Sequence, residues 1–151
     1  MTTSMVRLWA LKNVFLLWFV KPTILEVNER RCVVKLPLSW RTKNHLHSMY
    51  FGALCIGADV AGGLIAFHMA RQQKLNISFV FKDIKAEFLK RADGDVHFTN
   101  EDGNVVQDIV RRTSESGERA EGTVRVIATV PKKYGDEPVA RFELTLSLKK
   151  R

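Results

Sequence analysis

Residues Asn44 to Gln72 have the sequence NHLHSMYFGALCIGADVAGGLIAFHMARQ, and this stretch decides the fold. From Tyr50 onward the stretch is apolar almost all round and has no clean polar face. A helix with apolar residues on every side is normally buried in the core of a protein. We therefore predict a central helix over residues 50–72, surrounded by the rest of the chain.

One carboxylate, Asp59, lies in the middle of this predicted helix. Burying an unpaired carboxylate costs free energy, so Asp59 must find a partner or its pKa must rise. A carboxylate in such a place is a candidate for acid–base chemistry, and the alternative is a structural carboxylate bonded to a neighbouring amide. Glycine weakens a helix by about 1 kcal/mol relative to alanine. The same run nevertheless has four glycines, which predict the close approach of another backbone: Gly52, Gly57, Gly62 and Gly63.

The remaining chain predicts mainly strands. Two short strands, Thr23 to Val27 and Cys32 to Leu36, precede the central helix and are joined by a polar turn. The elements predicted after the helix are a long strand over Asn76 to Arg91 with a bulge near Lys85 to Glu87, a short strand Val96 to Phe98, a short helix that begins near Val105 and ends in the polar run Thr113 to Glu118, a strand Gly122 to Pro131, a loop Lys132 to Glu137, a strand Val139 to Leu148, and a frayed end Lys149 to Arg151. This order predicts an α+β fold, a curved sheet around one helix, in a single domain over residues 1–151.

Residues 1–22 predict an additional N-terminal helix that ends at Lys21 and Pro22. The apolar run is too short to span a bilayer, and no small-residue cleavage site typical of a signal peptide follows it. An alternative is a helix that lies in a membrane interface. We expect packing on the domain through one helical stripe, formed by Leu8, Leu11, Phe15, Trp18 and Phe19.

The net charge of +8 favours anionic partners such as a phosphate-bearing substrate, a nucleic acid or an acidic membrane surface. The nucleic-acid alternative has the charge but no aromatic platform or known binding motif, so we expect no nucleic acid. The two cysteines, Cys32 and Cys55, have no C-x-x-C spacing, and a reduced cytoplasmic protein is the simplest interpretation.

The spacing of Asn44, Asp59 and the residues between them resembles the active-site motif of hotdog-fold acyl-CoA thioesterases. In that family an Asn precedes a His-Gly-Gly at the start of a helix, and an Asp or Glu follows within the helix. Aligned on Asp59, the Asn of the family falls on Asn44, and His-Gly-Gly falls on Tyr50, Phe51 and Gly52, so that only the second glycine is kept.

Two further stretches carry the same resemblance. NHLHSMYFGAL, from Asn44, looks like a branch of hotdog proteins known as a domain of unknown function, and FLKRADGD, from Phe88 to Asp95, is similar to a strand and turn of many hotdog thioesterases. The resemblance covers most of the chain from about Cys32 onward. It implies a hotdog fold, a homodimer or homotetramer, and hydrolysis of an acyl-CoA or acyl-carrier thioester at a site between two subunits.

The resemblance assigns roles to particular residues. Asp59 would act as the general base on water or as the nucleophile. The N–H groups of Phe51 or Gly52 would stabilise the oxyanion at the helix N-terminus, with Asn44 as a second donor or a holder of the water. Ser78 falls near a hydroxyl that assists the water, with Asn76 as a rival. Tyr50 and Phe51, which replace His-Gly, would shape the acyl pocket.

Basic residues suit the phosphates of coenzyme A, and we expect Lys82, Lys90 and Arg91 to bind them. No cofactor is expected beyond coenzyme A as part of the substrate. His45 and His47 are a weak metal alternative because they lack a recognised ligand spacing, so no metal site is assigned. A further alternative is a hotdog module that binds an acyl ligand without hydrolysing it.

Overall fold

One antiparallel sheet wraps around a long helix in the computed structural model, which describes all residues from Met1 to Arg151. In chain order the elements are α1 (Thr3–Asn13), α2 (Phe15–Phe19), β1 (Thr23–Val27), β2 (Cys32–Leu36), α3 (Phe51–Gln72), β3 (Ile77–Phe88), β4 (Val96–Asn100), α4 (Gly103–Ser116), β5 (Ala120–Thr129), α5 (Pro131–Tyr134) and β6 (Pro138–Lys150). The six strands lie in the order β1-β2-β4-β5-β6-β3, and all neighbours are antiparallel. The predicted α+β hotdog fold is confirmed.

Helix α3 is the core of this fold, as its apolar surface predicts. It is long and apolar enough to cross a membrane, but 67% of that apolar stretch is buried inside the protein, as expected for a core helix. Two glycines let aromatic side chains of the sheet pack directly on the helix backbone. The Phe98 ring of β4 occupies the space above Gly57, and a Cβ on Gly62 would lie 3.2 Å from the Phe81 ring of β3.

A buried asparagine also joins the sheet to α3. Asn100, the last residue of β4, is completely buried and donates from Nδ2 to the carbonyl oxygen of Ala61, at 3.1 Å. Its own Oδ1 accepts from the N–H of Asp102, so both ends of the amide are satisfied. The helix is therefore held in one register against the sheet by a polar contact as well as by packing.

The bulge in β3 lies at a different place from the one predicted. Phe81 pairs with Leu146 and Ile84 pairs with Leu144, so that Lys82 and Asp83 together face the single residue Thr145 of β6. The prediction of a bulge near Lys85 to Glu87 was wrong, because those residues pair regularly with β6. The Thr145 hydroxyl donates to Asp83 Oδ1 at 2.7 Å, which stabilises the extra residue of the bulge.

Three other boundaries differ from the prediction. Lys149 and Lys150 are paired with Ser78 and Ile77 in the sheet, so the basic end is not frayed up to Lys150. Helix α4 begins two residues earlier than predicted, at Gly103, which packs on the backbone of the β1–β2 turn, and it ends at Ser116, within the predicted polar run. The predicted loop after β5 contains the single helical turn α5, with a proline in its first turn.

The N-terminal helix is broken in two, and its predicted packing face was wrong. Val14, with a φ of −144°, separates α1 from α2. The inner face of α1 is formed by the small residues Val6 and Ala10, and by Trp9, whose ring lies 5.4 Å from that of Phe67 on α3. The leucine and phenylalanine stripe predicted to be buried is largely exposed, at Leu8, Leu11 and Phe15.

The glycines of α3 provide a matched test of this packing. Gly57→Ala places a methyl group inside the Phe98 ring, and we expect it to lower the free energy of unfolding by about 1–3 kcal/mol. Gly63→Ala meets its nearest neighbour, the Phe79 ring, at an ordinary 3.4 Å, and should be neutral or stabilising because alanine favours a helix. Urea denaturation of both variants measures the difference, and equal stabilities would contradict the proposed packing.

Candidate active site

The N-terminus of α3 is an uncapped helix end. Tyr50 precedes the helix in an extended conformation, and no side chain caps the first turn. The N–H of Tyr50 itself donates to the carbonyl oxygen of Thr42, so the free donors are those of Phe51 and Gly52 at the surface and Ala53 below it. Free N–H groups together with the helix dipole favour negative charge at this position.

Aromatic rings surround this helix end. The ring of Tyr50 folds back over Gly52, so that any side chain at position 52 would overlap it. Tyr50 contacts the Phe51 ring at 4.9 Å, and Phe51 contacts the Phe88 ring at the end of β3 at 6.0 Å. Phe88 in turn contacts the buried Phe142, at 5.9 Å. The result is an aromatic wall that runs from the surface to the core, with half-exposed rings at its outer end.

Asn44 shapes the loop that leads into this helix. Its Oδ1 accepts hydrogen bonds from the N–H groups of Leu46, at 2.9 Å, and Ser48, at 3.2 Å, and its Nδ2 donates to Ser48 Oγ. These bonds close a tight loop in which His47 adopts a positive φ of 59°. In this conformation the Asn44 side chain is used within the loop, and its predicted contact with substrate stays a prediction.

Asp59 lies in an open pocket of about 300 Å³ beside the bulge of β3. The lining of this pocket is Asp59 with Phe81, Lys82, Asp83, Ile84 and Leu144. The carboxylate of Asp59 is half-buried and has no hydrogen-bond or ion-pair partner within the chain. Burial therefore raises the pKa of Asp59 above its ordinary value.

Another carboxylate of the chain, Asp102, differs from Asp59 because it has a charged partner. Asp102 is buried beside Arg125, whose guanidinium donates to both of its carboxylate oxygens at 3.0 and 2.7 Å. These bonds hold the pKa of Asp102 below its usual range. Asp102 is thus a satisfied structural carboxylate, whereas Asp59 is left without a partner at the wall of a pocket. Unpartnered, perturbed carboxylates of this kind are typical of functional sites.

Asp59 and the helix end are separated within one chain. Asp59 follows Phe51 by eight positions on the same straight helix, a distance of about 12 Å along the helix axis. A single reacting carbonyl group cannot contact both at once. The two halves of the candidate site are therefore held apart by the rigidity of α3.

The predicted substrate-binding cations lie at both halves. Lys82 lines the Asp59 pocket, and its Nζ lies 2.9 Å from Glu121. Lys90 forms an ion pair with Glu137 at 2.6 Å, while Arg91 is exposed with no ion pair. Lys90 and Arg91 follow Phe88 and precede Ala92, whose carbonyl oxygen accepts from the Met49 N–H, so both lie at the α3 N-terminus.

Ser78 is not brought to either half of the site. It lies near the start of β3, paired with Lys149, and donates to the Lys149 carbonyl oxygen at 3.2 Å. Lys82 lies four positions after Ser78 along the strand, a distance of about 13 Å. Its neighbour Asn76 uses its carbonyl oxygen to accept from the N–H of Arg151.

Asp83 and Thr145, which form the bulge beside the Asp59 pocket, are not among the residues predicted for the site. A signal for them exists, because Phe79 and Phe81 alternate inward and the next inward position would then be the charged Asp83. One extra residue at the bulge restores the alternation of inward-facing apolar side chains.

Both cysteines are free, and burial raises the pKa of the Cys55 thiol, one turn before Asp59. No three His, Cys, Asp or Glu side chains lie close enough together to hold one metal ion.

Solved structures with the same fold cover almost the whole chain. A protein of unknown function and probable thioesterase from Pseudomonas aeruginosa is 20% identical, with a TM-score of 0.79 over 100% of this chain and 97% of that one. A protein of unknown function from Chlorobaculum tepidum is 11% identical, with a TM-score of 0.85 over 99% and 94%. A thioesterase from Haemophilus influenzae is 14% identical, with a TM-score of 0.73 over 99% and 92%.

At these identities the likeness concerns the fold. A search of curated proteins found no match. A family model described as "Domain of unknown function (DUF4442)" matches residues 6–148, from the first turns of α1 to the last strand. The match includes the helix end, Asp59 and the bulge, and the chain belongs to this family of hotdog-fold proteins.

Proposed function

We propose that this protein hydrolyses thioesters of acyl-CoA or of an acyl carrier. The observation that carries the proposal is the half-buried Asp59 carboxylate, which has no partner and lies at the wall of a pocket on the same helix whose N-terminus is free. Thioesterase labels on fold relatives from Pseudomonas aeruginosa and Haemophilus influenzae support the same reaction class.

In the proposed reaction Asp59 takes a proton from water as the water attacks the thioester carbonyl carbon. The carbonyl oxygen becomes an oxyanion, which the N–H groups of Phe51 and Gly52 stabilise. The carbon–sulfur bond then breaks, the thiolate takes the proton from Asp59, and the carboxylic acid leaves. The reaction needs only water and the thioester, so we assign no separate cofactor.

We further propose that each site forms between two chains. The 12 Å that separate Asp59 from the helix end within one chain require a second chain to bring an acid to each oxyanion site. Strand β3 suits this association, because it is an edge of the sheet and carries exposed apolar residues at Val80, Ile84 and Phe88. The outer side of an edge strand has unpaired backbone N–H and C=O groups, which can pair with a strand of a second chain.

Coenzyme A would approach from the α3 N-terminus in this arrangement. Arg91 is free to bind a phosphate there, and Lys90 lies beside it. Tyr50 and Phe51, which are half-exposed, would line the entrance for the acyl chain. These assignments fit a cytoplasmic enzyme that uses a soluble carrier.

A second candidate function is acyl-ligand binding without hydrolysis. The Tyr50 ring occupies the space above Gly52, and the Asn44 amide is bonded within its own loop. The Tyr50 ring reduces the space for a reacting thioester, and the bonds of Asn44 leave one hydrogen-bond donor fewer for its carbonyl oxygen. Turnover distinguishes the two functions directly.

The first test is thiol release from short, medium, long and aromatic acyl-CoAs. We expect turnover by the wild type, and Asp59→Asn should lower kcat by about 10²–10⁴-fold, the usual contribution of a general base. The matched control is Asp83→Asn, which changes the other carboxylate of the pocket but leaves the unpartnered one in place. Ligand binding without turnover by the wild type would favour the second function.

The rate of hydrolysis should also depend on pH. Because the base must be ionised, the rate should fall as the pH falls through a raised Asp59 pKa.

A proline at the helix end tests the oxyanion donors. Phe51→Pro removes the N–H at the first helical position, where proline is well tolerated, and the extended Tyr50 before it is compatible with proline. Phe51→Ala removes the same ring but keeps the N–H. We expect the proline variant to be about 10²–10³-fold slower than the alanine variant, the usual effect of one lost oxyanion donor.

The same variants test the shared site. Phe51→Pro and Asp59→Asn chains, each nearly inactive alone, should recover activity when they are unfolded and refolded together. One site of each mixed dimer then has an intact helix end and an intact acid. No recovery in confirmed mixed dimers would contradict a site shared between chains.

Asp59→Asn should also stabilise the fold at neutral pH. The pKa of Asp59 is raised in the folded state above its ordinary value of 3.8, so the folded protein binds this proton more tightly than the unfolded chain. The associated stability is fully present below pH 3.8 and is lost as the pH rises through the folded pKa. Thermal unfolding should therefore give the variant the higher Tm at pH 7, and the gap should close in acid. A lower Tm for the variant at pH 7 would contradict this origin of the shift.

A further inference from the structure

The outer face of the α1–α2 pair is an exposed apolar surface. It comprises Leu8, Leu11, Val14, Phe15, Leu16 and, from the loop after β2, Trp40. We call this set the N-terminal apolar surface. The exposed fractions of Leu8, Phe15 and Trp40 are 58, 59 and 67%. A large apolar surface on a soluble domain normally marks a binding site.

Aromatic contacts make this surface continuous. Phe15 contacts the Trp18 ring at 5.1 Å and the Phe19 ring at 6.5 Å, and Phe19 contacts Trp40 edge-on at 5.7 Å. The Arg41 guanidinium lies 4.5 Å from the centre of the Trp40 ring. Trp40 and its neighbours therefore extend the surface from the two helices onto the loop that leads into α3.

The surface is also held rigidly on the domain. Arg7 donates to the carbonyl oxygens of Pro22, at 2.9 Å, and Lys21, at 3.1 Å, and to the Thr23 hydroxyl. The N–H of Ile24 in β1 donates to the Thr3 hydroxyl at 3.0 Å. With Val6 and Ala10 buried beneath it, α1 has one packed face and one face without a partner.

The two stretches of chain that form this surface carry only positive formal charges. No Asp or Glu occurs between Met1 and Leu25, or between Arg30 and Ala58, the two stretches that form it. The cations that border it are Lys12, Lys21, Arg41 and Lys43. Leucine, phenylalanine and tryptophan bordered by lysine and arginine are the composition of helices that lie in a lipid interface, with tryptophan at the level of the headgroups.

We propose that the N-terminal apolar surface docks the protein on an anionic phospholipid bilayer. The apolar side chains enter the headgroup and acyl boundary, and the lysines and arginines contact the lipid phosphates. A second copy of the chain is a poorer occupant, because the facing surfaces would place cations of like sign together without a compensating acid. The surface is formed by α1, α2 and the loop after β2, and none of its residues belongs to β3, the strand proposed to pair with a second chain.

The test uses the full chain with vesicles of phosphatidylcholine alone or of phosphatidylcholine mixed with phosphatidylglycerol. Co-sedimentation should be strong only with the anionic vesicles and should weaken as salt is added. All three tryptophans of the chain, Trp9, Trp18 and Trp40, lie in or beneath the surface. Their fluorescence should shift to shorter wavelength on binding, and lipids brominated on the acyl chains should quench it.

Paired variants separate the apolar and the charged contributions. Leu8→Ser with Phe15→Ser should abolish binding, while Phe15→Leu should keep it. Lys12→Gln with Lys21→Gln should weaken binding by about 30-fold, from about 1 kcal/mol for each cation near the surface. The control with the same change in net charge is Lys85→Gln with Lys132→Gln, on β3 and α5, which should bind as the wild type does.

Hydrolysis of a short acyl-CoA in solution should be unchanged in the serine variant, and its thermal unfolding should remain cooperative. Vesicle binding that survives the serine substitutions, or binding equal for neutral and anionic vesicles, would overturn the proposal. So would a wild type that ignores vesicles but forms oligomers that the serine variant no longer forms, since a second copy would then cover the surface.

Discussion

The structure depends on the close contact between aromatic side chains of the sheet and the glycine backbone of α3. Phe98 lies over Gly57, and Phe81 lies over Gly62. Without side chains at these positions the sheet can close around the helix at short range and bury most of its surface. Asn100 adds a buried hydrogen bond to the Ala61 carbonyl oxygen, so the helix can neither rotate nor slide against the sheet.

The rigidity of α3 has a chemical consequence. The helix end that favours an anion and the carboxylate that can take a proton lie on one element, two turns apart, and neither can move to the other. An unpartnered, half-buried Asp59 costs folding free energy, whereas the comparable Asp102 is stabilised by Arg125. A free energy cost of this kind is typical of groups kept for a reaction. In the proposed dimer, the oxyanion donors of a second chain would meet the Asp59 pocket.

The two sides of the sheet present different surfaces. At the β3 side the edge strand carries both apolar and charged exposed residues and is interrupted by the bulge beside the Asp59 pocket. At the β1 side the α1–α2 pair carries an exposed apolar surface, and the stretches that form it have only positive charges. The two surfaces are formed by different residues and differ in charge, so they suit different partners.

The sequence by itself determined the central helix, most strands and the unusual carboxylate. Apolar residues on every side of residues 50–72 predicted a helix buried in the core, and strict alternation in the last strand predicted β6 within two residues at each end. The position of Asp59 in that apolar run predicted either a partner for the carboxylate or a raised pKa, and the folded chain raises its pKa by burial. The motif around Asn44 and Asp59 was enough to indicate the family.

Only the tertiary structure decided where these elements meet. Periodicity shows which residues share a face of a helix, but α1 is apolar on both faces, so packing alone decided that Val6 and Ala10 turn inward and Leu8 outward. The bulge at Lys82 and Asp83 depends on the register between β3 and β6, which is a property of the pair and not of either strand. The local bonds of Asn44 and the remote position of Ser78 likewise follow from the folded chain, because distance along a sequence does not fix distance in space.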